Sequence, residues 1–176
     1  MSAPGKIISL SKSIPASASG VIPLEAIESG IVRQGLAYWR SLKGSRPYPA
    51  RDEMKPRDLT LLLRNIVLIR RIEADDYEYR IVGDAHVLSH GYSMRGKKVS
   101  EIDQFSPGYG IVLKSLYDRA VRKRDAYAFR GWMERGESQK EYIYSESVFM
   151  PLGPDEHTID HVLNFAVYTP RDSYES

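Results

Sequence analysis

YRIVGDAHVLSHGYSMRGKKVSEI, residues 79–102, carries the punctuation that decides the fold. Tyr79 and Ile81 alternate as in a strand, and the strand ends at Gly83. One short helix fits between Gly83 and Gly91. A glycine-rich turn around Gly91 and Gly96 then leads into an apolar step from Val99 to Ile102. The stretch therefore reads as a strand end followed by brief helical pieces.

Upstream of this stretch, Ile66–Ile72 is an apolar run suited to a strand, and residues 77–82 suit a second. The acidic turn at 74–76 joins them as a hairpin. Pro56 and Asp58 open a short helix through Leu59, Leu62 and Leu63, and residues 46–56 form a polar connection with three prolines. Pro23, Glu25 and Glu28 are the start signals of a longer helix. Leu24, Ile27, Ile31, Tyr38 and Leu42 recur along one face of it until Gly44, while Gly30 and Gly35 make it depend on packing. That stripe either covers the domain's own sheet or pairs with a second copy. Residues 1–22, rich in Ser, Ala, Gly and Pro, read as a flexible arm.

Downstream, Ser106 and Pro107 are placed as cap and first residue of a long helix. Its buried face is Tyr109, Val112, Leu113, Leu116, Tyr117 and Ala120, and Arg119, Arg122, Lys123 and Arg124 complement the negative end of its dipole. Three strands follow at Tyr127–Glu134, 141–150 and 158–169, the first two joined by a turn at 135–139. Two strands, a helical middle and three strands make an α+β chain. The expected architecture is a five-stranded antiparallel sheet covered on one face by helices, with an N-terminal helical extension. The corresponding divisions are an arm at 1–22, the extension at 23–64, the sheet domain at 65–170 and a tail at 171–176.

The 176 residues suffice for one well-buried domain. Apolar content of 42% and charged content of 27% are those of a soluble globular protein, and a net charge of +2 argues for neither a nucleic-acid nor a membrane partner. Cysteine is absent, which removes disulfides, zinc thiolates and cysteine nucleophiles and fits a reducing cytoplasm. No apolar run has membrane-spanning length, and residues 7–10 are too short for the core of a signal peptide.

This element order resembles a PAS domain over residues 65–170. The lead-in resembles a bacterial PAS subfamily of short, usually single-domain proteins. Tyr38, Trp39 and Arg40, then Pro49, Arg51 and Pro56, match its "W-R … P-x-R … P" segment, and Tyr79, Arg80 and Gly83 match its "Y/F-R-x-x-G" strand end. Asp84 stands where a small hydroxyl residue is usual, and residues 92–95 (YSMR) replace the usual "R-D-L-T" step. The resemblance implies a sensor module that cradles a ligand or partner. Flavin-adduct chemistry is excluded for want of cysteine, as is the cysteine-anchored coumarate class. Haem is disfavoured because the long helix, where relatives carry the iron ligand, has no histidine. No cofactor is expected.

Candidate ligand-binding residues are aromatic and cationic groups on the sheet and long helix: Tyr79, Arg80, Tyr117, Arg130, Trp132 and Tyr144, with an arginine orienting an acidic ligand. Asp84, His86 and His90 have the composition of a two-histidine, one-carboxylate metal set, but their helix is short, reads as exposed and lacks the Glu of H-E-x-x-H, so no metal site is assigned. His157 and His161 are expected on one side of the last strand, with Asp160 opposite. No catalytic constellation is recognisable. The first reading is a stand-alone cytoplasmic sensor or adaptor signalling through a protein partner, as a homodimer, with a small-molecule ligand possible in its pocket. Alternatives are a small acid–base enzyme using Asp84, Glu146 and His161, and a nucleotide-binding regulator using Arg95, Lys97, Lys98 and the cationic end of the long helix.

Overall fold

The computed structural model describes residues 19–73, 75–134 and 142–170, with backbone alone for 132–134, 142–143 and 170. Six strands form one antiparallel sheet in the order β1-β4-β5-β6-β2-β3: β1 Gly20–Ile22, β2 Ile66–Ile72, β3 Asp76–Val82, β4 Tyr127–Glu134, β5 Tyr142–Leu152 and β6 His161–Pro170. Among the described residues four α-helices accompany it: α1 Gly30–Lys43, α2 Asp84–His90, α3 Val99–Ile102 and α4 Tyr109–Lys123. The expected α+β fold with an antiparallel sheet is present, with one strand more than expected. The turn expected at 135–139 lies outside the described residues.

The extra strand comes from the expected arm. Gly20, Val21 and Ile22 pair with Arg130, Phe129 and Ala128, so the segment joins the sheet through backbone bonds that its Gly- and Ser-rich composition does not advertise. Residues 1–18 lie outside the described residues.

Helix α1 also differs from expectation. Residues 24–26 form a single 3-10 turn, Ile27 is extended, and the α-helix starts only at Gly30, with Ser29 Oγ accepting from Val32 N. Proline and acidic start signals are outweighed here by a tertiary contact: Glu146 Oε1 accepts from Ser29 N at 2.7 Å and thereby fixes where the helix begins.

The buried residues of α1 are Val32, Gly35, Leu36 and Trp39, spaced to cover one strip, and they lie on the domain's own sheet. A Cβ at Gly35 would stand 2.4 Å from the Phe165 ring, so helix and sheet approach closely there. Ile31, Tyr38 and Leu42 pack partly against the same core. The stripe therefore packs on the domain's own sheet.

Both faces of the sheet are consequently buried, one more than expected. Ile66, Leu68, Val148, Met150, Leu163 and Phe165 face α1, while Val67, Ile69, Tyr77, Tyr79, Phe149 and Val162 face α2–α4. This is why residues 66–69 read as an unbroken apolar run: alternation vanishes when both sides of a strand are covered. Between Leu68 and Ile69 the partner steps from Ile81 to Tyr79, leaving Arg80 as the extra residue of a bulge. The outer edge of β3 is closed by the following loop, with Tyr79 N donating to Lys97 O and Tyr79 O accepting from Gly96 N.

Helix α4 starts later than its Ser-Pro signal. Gly108 precedes it at φ +84°, and the cap is Asp103 Oδ1, which accepts from Gly110 N at 2.8 Å. Ser106 is instead buried, its hydroxyl without a partner among the described residues. Val112, expected inside, is 46% exposed. No described helix is long and apolar enough to cross a membrane.

Candidate functional site

Between α2, α4, β5 and β6 lies a cavity of ≈ 20 Å³, about the room one water molecule needs. Its polar walls come from three directions: His86 from α2, Tyr109 and Tyr117 from α4, and Ser145, Ser147, Asn164 and Tyr168 from the two strands. Leu113, Leu116, Phe149 and Ala166 complete it.

Helix α2 presents its histidines inward. Gly83 and Gly91 bracket it, and the four-residue spacing places His86 and His90 one above the other. Their rings stack at 3.9 Å and 10°. Both are buried, contrary to the exposed helix the sequence led us to expect, because the turn at Leu63–Asn65 and strand β6 pack against α2. His90 Nδ1 lies 2.8 Å from His86 O; a carbonyl only accepts, so Nδ1 carries the hydrogen. His90 Nε2 then accepts from Tyr109 OH at 2.7 Å. Tyr168 sets its edge against both imidazoles. His86 Nδ1, by contrast, is buried with no hydrogen-bond partner among the described residues.

The tyrosines around this pair are equally enclosed. Tyr79 and Tyr117 share a hydrogen bond between hydroxyls at 2.6 Å. Burial pushes the hydroxyls of Tyr79, Tyr109, Tyr117 and Tyr168 up, keeping them protonated. Burial, and secondarily His90, holds His86 well below the usual 6.5. The cavity is thus a neutral, hydrogen-bonding space.

A pH dependence follows. The unfolded chain protonates His86 near the ordinary imidazole value of 6.5 while the folded chain resists, so below that pH the unfolded state binds more protons. Stability from this group is full above about pH 6.5 and is lost on acidification, at up to about 1.4 kcal/mol per pH unit, until the depressed folded value is reached. Urea midpoints of wild type and His86→Phe measured from about pH 8 to about pH 5 should diverge in this way. Parallel curves would exclude it.

Of the six expected ligand residues, the structure brings two together: Tyr79 and Tyr117, on the cavity side. Arg80 is exposed at the bulge and paired with Glu78. Arg130 lies on the α1 face, paired with Glu146 at 2.6 Å, and Tyr144 shares the face of Glu146 by strand alternation. The side chain of Trp132 lies outside the described residues. His86, His90, Tyr109, Ser145, Ser147, Asn164 and Tyr168 were not expected as site residues. The available signals were two histidines four apart beside Ser89, and serines alternating with Glu146 in an otherwise apolar strand.

The residues of the enzymatic alternative do not meet. Asp84 is exposed at the start of α2, Glu146 is held on the α1 face, and His161 bonds to Asp160 at the start of β6. That last contact also corrects the expected opposition of Asp160 and His161; His157 is exposed in the preceding loop. Among the described residues no group of three or more His, Asp or Glu side chains has metal-holding geometry. The basic residues of the nucleotide alternative are partly engaged, Lys97 over the Phe105 ring and Arg124 with Tyr48.

Comparison with curated protein sequences finds no match. Among solved structures the chain is similar to that of an RNA-binding light-oxygen-voltage receptor, at TM-score 0.44 and 13% identity, covering 89% of this chain and 40% of that one. The chain thus corresponds to about two fifths of that receptor's length. A family model described as a PAS domain matches residues 28–166, a span that takes in all four helices and every cavity-lining residue but Tyr168. With that much of its sequence matched, the chain belongs to the PAS domain family.

Proposed function

We propose that this PAS domain signals by changing its association with a protein partner according to what occupies the His86–Tyr117 cavity. PAS domains are sensor and signalling modules and not, in general, enzymes. The observation that supports an association-based output is the alternation of β5. Ser145 and Ser147 line the cavity, and Glu146 between them reaches the other face and holds the start of α1. β6 repeats the arrangement, with Asn164 and Ala166 in the cavity and Phe165 against Gly35 of α1. A ligand that shifts these strands changes the seat of α1, and with it the surface offered to a partner, a second copy of the chain included.

Native mass spectrometry of the protein purified from its own host tests this, because it reports retained mass and stoichiometry together. The expected result is a retained small molecule whose removal alters stoichiometry and speeds amide exchange in α1. Identical stoichiometry and identical α1 exchange in loaded and stripped protein would overturn the proposal.

A further inference from the structure

We infer that the ligand of this cavity is a small uncharged molecule that hydrogen-bonds to His86, of the kind a primary amide or an alcohol represents. The inference rests on the sensor reading above and names its ligand class. Three observations carry it.

The first is charge. Among the described residues no Asp, Glu, Lys or Arg lines the cavity. Asp84 is exposed, Asp118 is engaged by Tyr77 and Lys114, and the Arg130–Glu146 pair lies across the sheet. An ionic ligand would lose its hydration and meet no counter-charge, a cost of several kcal/mol per ion.

The second is the unfilled bond. His86 is 4% exposed and its Nδ1 has no partner among the described residues, although its stacked neighbour His90 uses both nitrogens. Buried polar groups are almost always satisfied, so a buried imidazole nitrogen in a cavity wall that finds no protein partner points to a hydrogen-bonding ligand. A neutral imidazole has one donor and one acceptor nitrogen and can take either tautomer, which suits an amide or a hydroxyl group equally.

The third is size. The ≈ 20 Å³ available is about one water molecule's room, so a ligand of even a few heavy atoms enters only as α2 moves, and the enclosing tyrosines exclude anything much larger.

The test is an amide NMR titration of the full chain with acetamide, and with acetate and ethylammonium as charged counterparts of similar size. Acetamide should shift the Ser145, Ser147 and Asn164 amides saturably, and the two ions should not. His86→Phe keeps a ring against His90 but removes both nitrogens, and should weaken acetamide binding about fivefold, the worth of one hydrogen bond. His86→Gln restores a donor and an acceptor and should stay within about twofold of wild type. Equal binding of either ion at these amides, or equal acetamide binding by wild type and His86→Phe, overturns the inference. If no probe binds while native mass spectrometry retains a ligand, the ligand class is wrong and the sensor reading stands. If neither experiment finds a ligand, both fall.

Discussion

Glu146→Ala should lower stability by about 3 kcal/mol and the Tm by about 6–12 °C. The carboxylate is only 7% exposed yet serves three donors. Glu28 N donates to it at 3.1 Å, Ser29 N at 2.7 Å, and Arg130 reaches it through Nη2 at 2.6 Å and Nε at 3.1 Å. Burial alone would raise its pKa. The Ser29 amide, the Arg130 guanidinium and the Glu28 amide together outweigh burial and hold it below the usual 4.5. Removing it orphans two helix-start amides at once and leaves the Arg130 guanidinium only Ala26 O at 2.7 Å and the exposed Glu28 carboxylate at 3.7 Å, and the penalty of such losses exceeds the net worth of the pair. Glu146→Gln keeps an acceptor but no charge and should fall between. The sign with pH is opposite in origin but similar in direction to that of His86. Because the folded pKa is depressed, the contribution is present above about pH 4.5 and is lost as pH falls through the folded value. The two groups separate by window, His86 acting between about pH 6.5 and its own folded value. Arg130→Leu added to Glu146→Ala should recover part of the loss, since no half-buried cation lacking its main counter-charge then remains. A Glu146→Ala protein within about 0.5 kcal/mol of wild type would show that α1 is held by its apolar strip alone.

The same residue shows where the sequence is legible and where it is not. Strands β2 and β3 were readable because their apolar runs and the acidic turn are local signals. The inward face of α4 was readable because a helical period declares itself within one element, with Val112 the exception. Arg130 was not readable in the same way. As an arginine on an aromatic strand it suggested an acidic ligand, but its acid is Glu146, placed directly opposite by the register of β4 and β5. With a period of two, a shift of one residue exchanges the faces, and nothing local in either strand decides between them. The start of α1 was misplaced for a related reason, since its acceptor lies more than a hundred residues away. Tyr79 and Tyr117 come together because each lies on the buried face of its element, a face that local periodicity already makes clear. The histidine pair was seen at its spacing, and only the packing of β6 and the Leu63–Asn65 turn on α2 turned it inward.

Gly83→Val should cost about 3 kcal/mol and unseat α2 specifically. The backbone there is ordinary, at φ −73°, so the demand is for space and not for an unusual conformation. A Cβ at Gly83 would stand 2.4 Å from Arg64 O and 2.6 Å from Leu63 O. Both are backbone atoms and cannot turn aside. Gly83 also anchors the helix: its N–H donates to Ile66 O, and its carbonyl accepts from the amides of His86 and Val87. Relief therefore requires the first turn of α2 to move off the Leu63–Asn65 turn, carrying His86 away from Tyr168 and His90 away from Tyr109. Gly91, at the other end of the same helix, makes the contrast. It has φ +80° and open space around it, so Gly91→Ala meets backbone strain of about 1 kcal/mol and no clash. Amide exchange should then separate the two: Gly83→Val exposes the α2 amides and alters the Tyr109 contact, whereas Gly91→Ala only frays the final turn. Equal stability of the two variants would mean that α2 is loosely seated, and the cavity it closes would then lack the rigid His86 wall on which ligand recognition depends.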